Sequence, residues 1–138
     1  MMRVLYIEDS ASDADLARRR LAQTAPEIQL EVATTLAEGF QKLTRPDDYD
    51  VLLTDLCLPD GSGLEALAYV REQRLPVAVV ILTGSGDQDS AMAALKASAD
   101  DYLVKRDDYL ERLPRLLRSA FDHFRHRSDL NQTSLRVL

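Results

Sequence analysis

The sequence has no tryptophan, one cysteine, two histidines, five glycines and five prolines in 138 residues. Each scarcity excludes something. A lone cysteine, Cys57, cannot close an internal disulfide, which fits a reducing, cytoplasmic setting. His123 and His126 read as part of a solvated helix face rather than as a phosphotransfer or metal site. No apolar run approaches the length needed to cross a bilayer, so no membrane contact is expected. Met1-Met2-Arg3 leads at once into a strand-like run, so no signal peptide is expected either. Positive charge is in deficit: the net charge is -6, which argues against general nucleic-acid binding. The one basic cluster, Arg18-Arg19-Arg20, reads as a solvated face. There is no low-complexity tract and no repeat of useful period. The length suits a single domain with a full core.

What is present is a regular alternation. Val4-Leu5-Tyr6-Ile7 reads as a strand, and Glu8 and Asp9 follow at its carboxyl end. Ser12-Asp13-Ala14-Asp15 opens a helix to Thr24 with a narrow stripe of Leu16, Ala17, Leu21 and Ala25, closed by Pro26. Ile28 to Ala33 alternates as a half-buried edge strand. Thr35-Leu36-Ala37-Glu38 is a capping box for a second helix. Val51 to Asp55 is an apolar run ending on a carboxylate, and Pro59, Gly61 and Gly63 break the chain after it. A third helix follows from Ser62 to Gln73. Val77 to Thr83 is a buried strand, Asp87 to Ala97 a helix, and Asp101 to Val104 a last strand ending at Lys105. Asp108 to Glu111 looks like a single capped turn before a helix starting near Leu113-Pro114.

Five strands alternating with five helices imply right-handed βαβ units. The expected fold is α/β: a single doubly wound, flavodoxin-like (βα)5 domain with a parallel sheet in the order 2-1-3-4-5. That order gathers Glu8, Asp9, Asp55, Thr83 and Lys105 at the carboxyl ends of neighbouring strands, where open sheets bind ligands. Two carboxylates about 4 Å apart repel by roughly 4 kcal/mol at an effective dielectric near 20. Such a cluster needs a cation, and an oxygen-only donor set suits Mg²⁺ rather than Zn²⁺. A carboxylate beside Mg²⁺ can act as a nucleophile toward a phosphoryl group. Lys105 and the Thr83 hydroxyl can stabilise the developing charge.

Over Arg3 to about Phe124 the sequence resembles the receiver domain of two-component response regulators. The resemblance is carried by Glu8-Asp9, by Asp55-Leu56-Cys57-Leu58-Pro59-Asp60-Gly61-Ser62-Gly63, by Thr83-Gly84 and by Tyr102-Leu103-Val104-Lys105. It implies phosphorylation of Asp55, with Mg²⁺ bound directly by Asp9, Asp55 and the backbone carbonyl of Cys57. Glu8 would act on the ion mostly through water. It further implies that Thr83 and Tyr102 form a switch pair and that Lys105 binds phosphoryl oxygens. A histidine kinase or histidine phosphotransfer protein would be the donor. A fused or separate output or sensor-kinase domain and a homodimer are both compatible with the resemblance. The chain would be a signalling module and not an enzyme, with the receiver over residues 1–127 and a tail or linker over 128–138.

The sequence departs from the family pattern at three places. Arg106 stands where a proline, frequently in a cis peptide, often follows the lysine; Ser98 stands where glycine is usual; and Cys57 is uncommon at its position. Because a cis bond before a non-proline residue costs about 2.5–4 kcal/mol, a trans Lys105-Arg106 peptide is expected. The turn from Asp107 to Arg112 would then follow an unusual path. Two alternatives lose ground on specific residues. A Mg²⁺-dependent aspartyl-phosphate phosphohydrolase of the haloacid-dehalogenase type needs a second Asp where Cys57 lies. A flavodoxin-like nucleotide-binding module needs a Ser/Thr/Gly loop where Glu8-Asp9 would repel phosphate.

Overall fold

The computed structural model describes residues 1–45, 48–84, 99–106 and 108–137, the side chains of 127–137 excepted. In chain order the elements are β1 (Met2–Ile7), α1 (Ala11–Thr24), β2 (Ile28–Ala33), α2 (Leu36–Lys42), β3 (Val51–Asp55), β4 (Cys57–Leu58), β5 (Gly61–Ser62), α3 (Gly63–Glu72), β6 (Ala78–Thr83), β7 (Asp101–Val104) and α4 (Tyr109–Val137). Five strands pair in parallel in the order β2-β1-β3-β6-β7, the expected topology. The helix expected over Asp87–Ala97, and Ser98 after it, lie outside the described residues.

Strand periodicity divides the core into two layers. On one face Val4, Tyr6, Leu53, Val80, Leu82 and Leu103 pack against Ala17 and Leu21 of α1 and Leu113 and Leu117 of α4. On the other, Leu5, Ile7, Leu52, Val79 and Ile81 pack against Leu36 of α2 and Leu67 and Val70 of α3. A parallel sheet covered on both faces needs such near-continuous apolar strands. Every residue of β3 and of β6 is buried.

Several local expectations are corrected. The N-cap of α1 is Ser10, not Ser12: its extended backbone lets Oγ accept the Asp13 N–H at 3.3 Å. Leu16 is half exposed, so the buried stripe of α1 is Ala14, Ala17 and Leu21. A small antiparallel hairpin, β4 with β5, occupies the loop after Asp55. The Lys105-Arg106 peptide is trans, as expected.

The last helix starts at Tyr109, ahead of the expected Leu113-Pro114. Asp108 takes a left-handed backbone (φ 62), a conformation that Asp tolerates better than most residues. The Tyr109 N–H then bonds the Arg106 carbonyl at 3.1 Å, and the Glu111 N–H bonds that of Asp108 at 3.0 Å. Pro114 lies inside the helix and withholds one N–H, yet Tyr109 and Leu110 ahead of it pack on the core and keep the first turn attached. Helix α4 passes position 127 without a break.

Candidate functional site

The strand alternation that sorts the core also sorts the site. Tyr6 shares a face with Val4, and Glu8 continues that register at the end of β1. Asp55 continues Val51 and Leu53, and Lys105 continues Leu103. All three therefore belong to the α1/α4 face. The Lys105 Nζ lies 2.8 Å from Glu8 Oε2, 3.1 Å from Asp55 Oδ2 and 2.9 Å from Asp55 Oδ1. Thr83 and Tyr102 follow the opposite register, on the side of Ile81 and α3. Thr83 is buried and Tyr102 partly so, on adjacent strands.

Sequence reasoning missed two partners. Asp13, in the first turn of α1, reaches Lys105 Nζ with Oδ2 at 3.2 Å. Its only sequence signal was an acid in a helical first turn directly after the carboxyl end of β1. The buried Tyr6 hydroxyl donates to Glu8 Oε2 at 3.1 Å, and the Ser10 N–H donates to Glu8 Oε1 at 3.0 Å. Tyr6 read only as strand core, and a period-2 pattern says nothing about where a hydroxyl goes.

The loop after β3 is shaped to present Asp55. A Cβ on Gly63 would fall on the Asp55 carbonyl oxygen, so only glycine lets α3 begin so close to the strand end. Asp60 leaves the loop to accept the Leu36 N–H at 2.9 Å and the Ala37 N–H at 3.1 Å. These bonds hold the Asp60 carboxyl below its ordinary range, the Leu36 N–H foremost, and they tie the loop to the N-terminus of α2. Cys57 starts β4 with its side chain exposed.

Electrostatically the pocket is overloaded with carboxylates. Glu8, Asp9 and Asp55 each bring an oxygen within 4.8 Å of the others, with Glu8 and Asp55 buried and Asp9 exposed. Burial foremost, then the neighbouring Glu8, pushes the Asp55 carboxyl up to about 8. Burial also acts to raise Glu8, but hydrogen bonds with Asp55, Lys105 and the Ser10 N–H outweigh it and hold Glu8 low. Burial acts to lower Lys105, but Glu8 and Asp55 outweigh that and hold the ammonium firmly charged. Asp55 Oδ1, though near Nζ, lacks a hydrogen bond of acceptable direction, and so does the buried Thr83 Oγ1 among the described residues.

The donor set fits a hard cation. Octahedral Mg²⁺ with bonds near 2.1 Å spans opposite oxygens about 4.2 Å apart, so the 4.8 Å envelope needs only slight closure or one intervening water. Asp55 Oδ1, paired with Lys105 but without a well-directed hydrogen bond, and Thr83 Oγ1 both keep unused acceptor capacity facing the strand ends.

The histidines stand apart from this end. His123 is largely exposed, as expected, but its Nδ1 lies 3.4 Å from the buried Asp100 carboxylate just before β7. Arg71 of α3 binds the same carboxylate at 2.8 Å.

Fold and pocket together define a class: a doubly wound α/β domain of flavodoxin-like topology, with convergent carboxylates and a lysine at the carboxyl ends of its strands. The model of the response regulator receiver domain matches residues 4–115, and the chain belongs to that family, the receivers of two-component signal transduction. It is 32% identical over 125 residues to the cell cycle transcriptional regulator CtrA of Caulobacter vibrioides, covering 88% of this chain and 53% of that protein. It thus spans about half the length of that curated relative. A response regulator receiver domain from Clostridium thermocellum is similar with a TM-score of 0.80 and 27% identity, over 94% of this chain and 98% of that one. The response regulator TrrA of Thermotoga maritima, solved in complex with Mg(2+)-BeF, is similar with a TM-score of 0.69 and 26% identity, over 85% and 100%. No helix among the described residues is long and apolar enough to cross a membrane.

Proposed function

We propose that Asp55 is the phosphoryl acceptor of this receiver and that a histidine kinase or histidine phosphotransfer protein is the donor. The observation that carries this is Asp55 itself: a buried carboxylate at a strand end, 2.9 Å from an ammonium and beside two further carboxylates. A carboxylate oxygen of Asp55 attacks phosphorus, the phosphorus–nitrogen bond of a phosphohistidine breaks, and its electron pair stays on the imidazole. The product is an acyl phosphate on Asp55. Lys105 exchanges a carboxylate partner for a phosphoryl oxygen and so stabilises the charge there.

Mg²⁺, when bound, neutralises charge on the phosphoryl oxygens; Asp9, Asp55 and the Cys57 carbonyl would hold it, with Glu8 acting mostly through water. Thr83 then hydrogen-bonds the new phosphoryl group and vacates space toward which Tyr102 turns, on the face that carries α3. Such a two-position element converts a local charge change into a new binding surface. The module is a switch and not an enzyme, with the receiver proper over residues 1–127 and 128–138 as a C-terminal tail or the start of a linker. Its target is an output or sensor-kinase domain in the cytoplasm, fused or separate; pairing with a second copy is a further route to output.

The test is direct. The protein, incubated with a small-molecule phosphodonor and Mg²⁺, should gain the mass of one phosphoryl group. Asp55→Asn should gain none. Labelling of the variant at the wild-type rate would reassign the acceptor.

A further inference from the structure

The Glu8 carboxylate is held from three directions. Tyr6 Oη donates to Oε2 at 3.1 Å, the Ser10 N–H donates to Oε1 at 3.0 Å, and Lys105 Nζ donates to Oε2 at 2.8 Å. Tyr6 has no solvent exposure. Its ring is fixed in the α1/α4 layer of the core, two residues before Glu8 on the same strand face. A hydroxyl anchored in that way restricts the rotamer of the carboxylate it touches. The same Glu8 oxygen serves both Tyr6 and Lys105, and Asp13 meets the ammonium from α1 at 3.2 Å.

We infer that Tyr6 is a positioning residue of the pocket: its hydroxyl holds Glu8 against Lys105, in competition with a cation for the same carboxylate. Glu8 then serves the lysine first. The cation relies on Asp9 and Asp55, and Lys105 is kept within reach of the phosphoryl site by Glu8 and Asp13. The inference builds on the proposed phosphoacceptor role of Asp55, but the orientation of Glu8 has a readout of its own. A tyrosine that merely found a convenient buried acceptor would leave cation affinity untouched when its hydroxyl was removed.

Tyr6→Phe removes the hydroxyl and keeps the ring. Mg²⁺ affinity is read from the amide signals of Asp9 and Cys57 in titrations of the wild type, Tyr6→Phe, Glu8→Gln and the double variant. Freed of one donor, Glu8 should turn toward the ion, so Tyr6→Phe should bind Mg²⁺ about two- to tenfold more tightly, the equivalent of one net hydrogen bond. In the Glu8→Gln background the same change should have no effect. With saturating Mg²⁺, Tyr6→Phe should accept phosphate more slowly by a similar factor, because Lys105 has lost its fixed partner.

Equal Mg²⁺ affinity in wild type and Tyr6→Phe overturns the inference. So does an affinity change that persists undiminished without the Glu8 carboxylate. Should Tyr6→Phe fail to fold, the ring ¹³Cζ signal of Tyr6 decides: it should move on Glu8→Gln, and an unmoved signal refutes the coupling. A wild type that takes up no phosphoryl group would overturn the acceptor role of Asp55, while the Mg²⁺ cycle would still decide that of Tyr6.

Discussion

Replacing Asp55 by asparagine should stabilise the protein when Mg²⁺ is absent. The side chain keeps its shape and loses only its charge. Glu8 and Asp9 present oxygens within 4.8 Å of Asp55, so at an effective dielectric near 20 each repels it by about 3.5 kcal/mol. Lys105 Nζ at 2.9 Å attracts it by about 6 kcal/mol on the same scale. The two repulsions together exceed the attraction by about 1 kcal/mol, and burial of the charge adds to that cost. The Asp55 pKa, pushed up to about 8 from an ordinary value near 3.9, sets a ceiling of about 6 kcal/mol.

The sign follows from linkage. A carboxyl whose native pKa is raised contributes stability that is fully present below its unfolded pKa and is lost as pH rises through the native one. The advantage of Asp55→Asn over wild type should therefore be near zero at about pH 4 and widen up to about pH 8. A gain of 1 kcal/mol corresponds to roughly 3 °C in a domain of this size. Thermal melts followed by circular dichroism in chelator, at several pH values, read this directly. Adding Mg²⁺ should shrink the gap, since only the wild type recovers the binding energy of Asp55. If the variant melts at or below the wild type near pH 8, or if the gap stays constant with pH, the electrostatic account of the pocket is wrong.

Asp9→Ala should abolish the rise in melting temperature with Mg²⁺ concentration, because Asp9 is proposed as a direct ligand; an unchanged response would remove it from the ligand set. Gly63→Ala should destabilise by about 1–3 kcal/mol, since the new methyl is forced onto the Asp55 carbonyl. It should also slow labelling of Asp55, as a denaturant melt and a phosphodonor time course would record. Thr83→Ala should accept phosphate yet leave the Tyr102 signals nearly unchanged on addition of a phosphoryl mimic. Tyr102 shifts as large as those of the wild type would contradict the switch role.

The architecture was legible in the chain, because short apolar runs, the alternation of Ile28 to Ala33 and helix caps are local signals. Val51 to Asp55 and Val77 to Thr83 are too short for buried helices and suit strands covered on both faces, and the alternation of elements leaves few topologies. The sequence also determined which chemistry-bearing residues sit at strand ends, since each follows directly on its apolar run. The trans Lys105-Arg106 bond was equally legible, from the cost of the alternative.

How those residues pair was set by packing. Lys105 meets Asp13, which lies 92 residues away, and no local pattern encodes which acid a long flexible ammonium will choose. The Tyr6 hydroxyl looked like core because its ring is core; its bond to Glu8 depends on where the strand ends relative to α1. The start of α4 was misplaced for a related reason. Pro114 is a strong local signal, but packing of Tyr109 and Leu110 on the sheet outweighs one missing hydrogen bond. Local chemistry is written along the chain, whereas the partners of a charged or hydroxyl group are set by distances that exist only after the layers have packed.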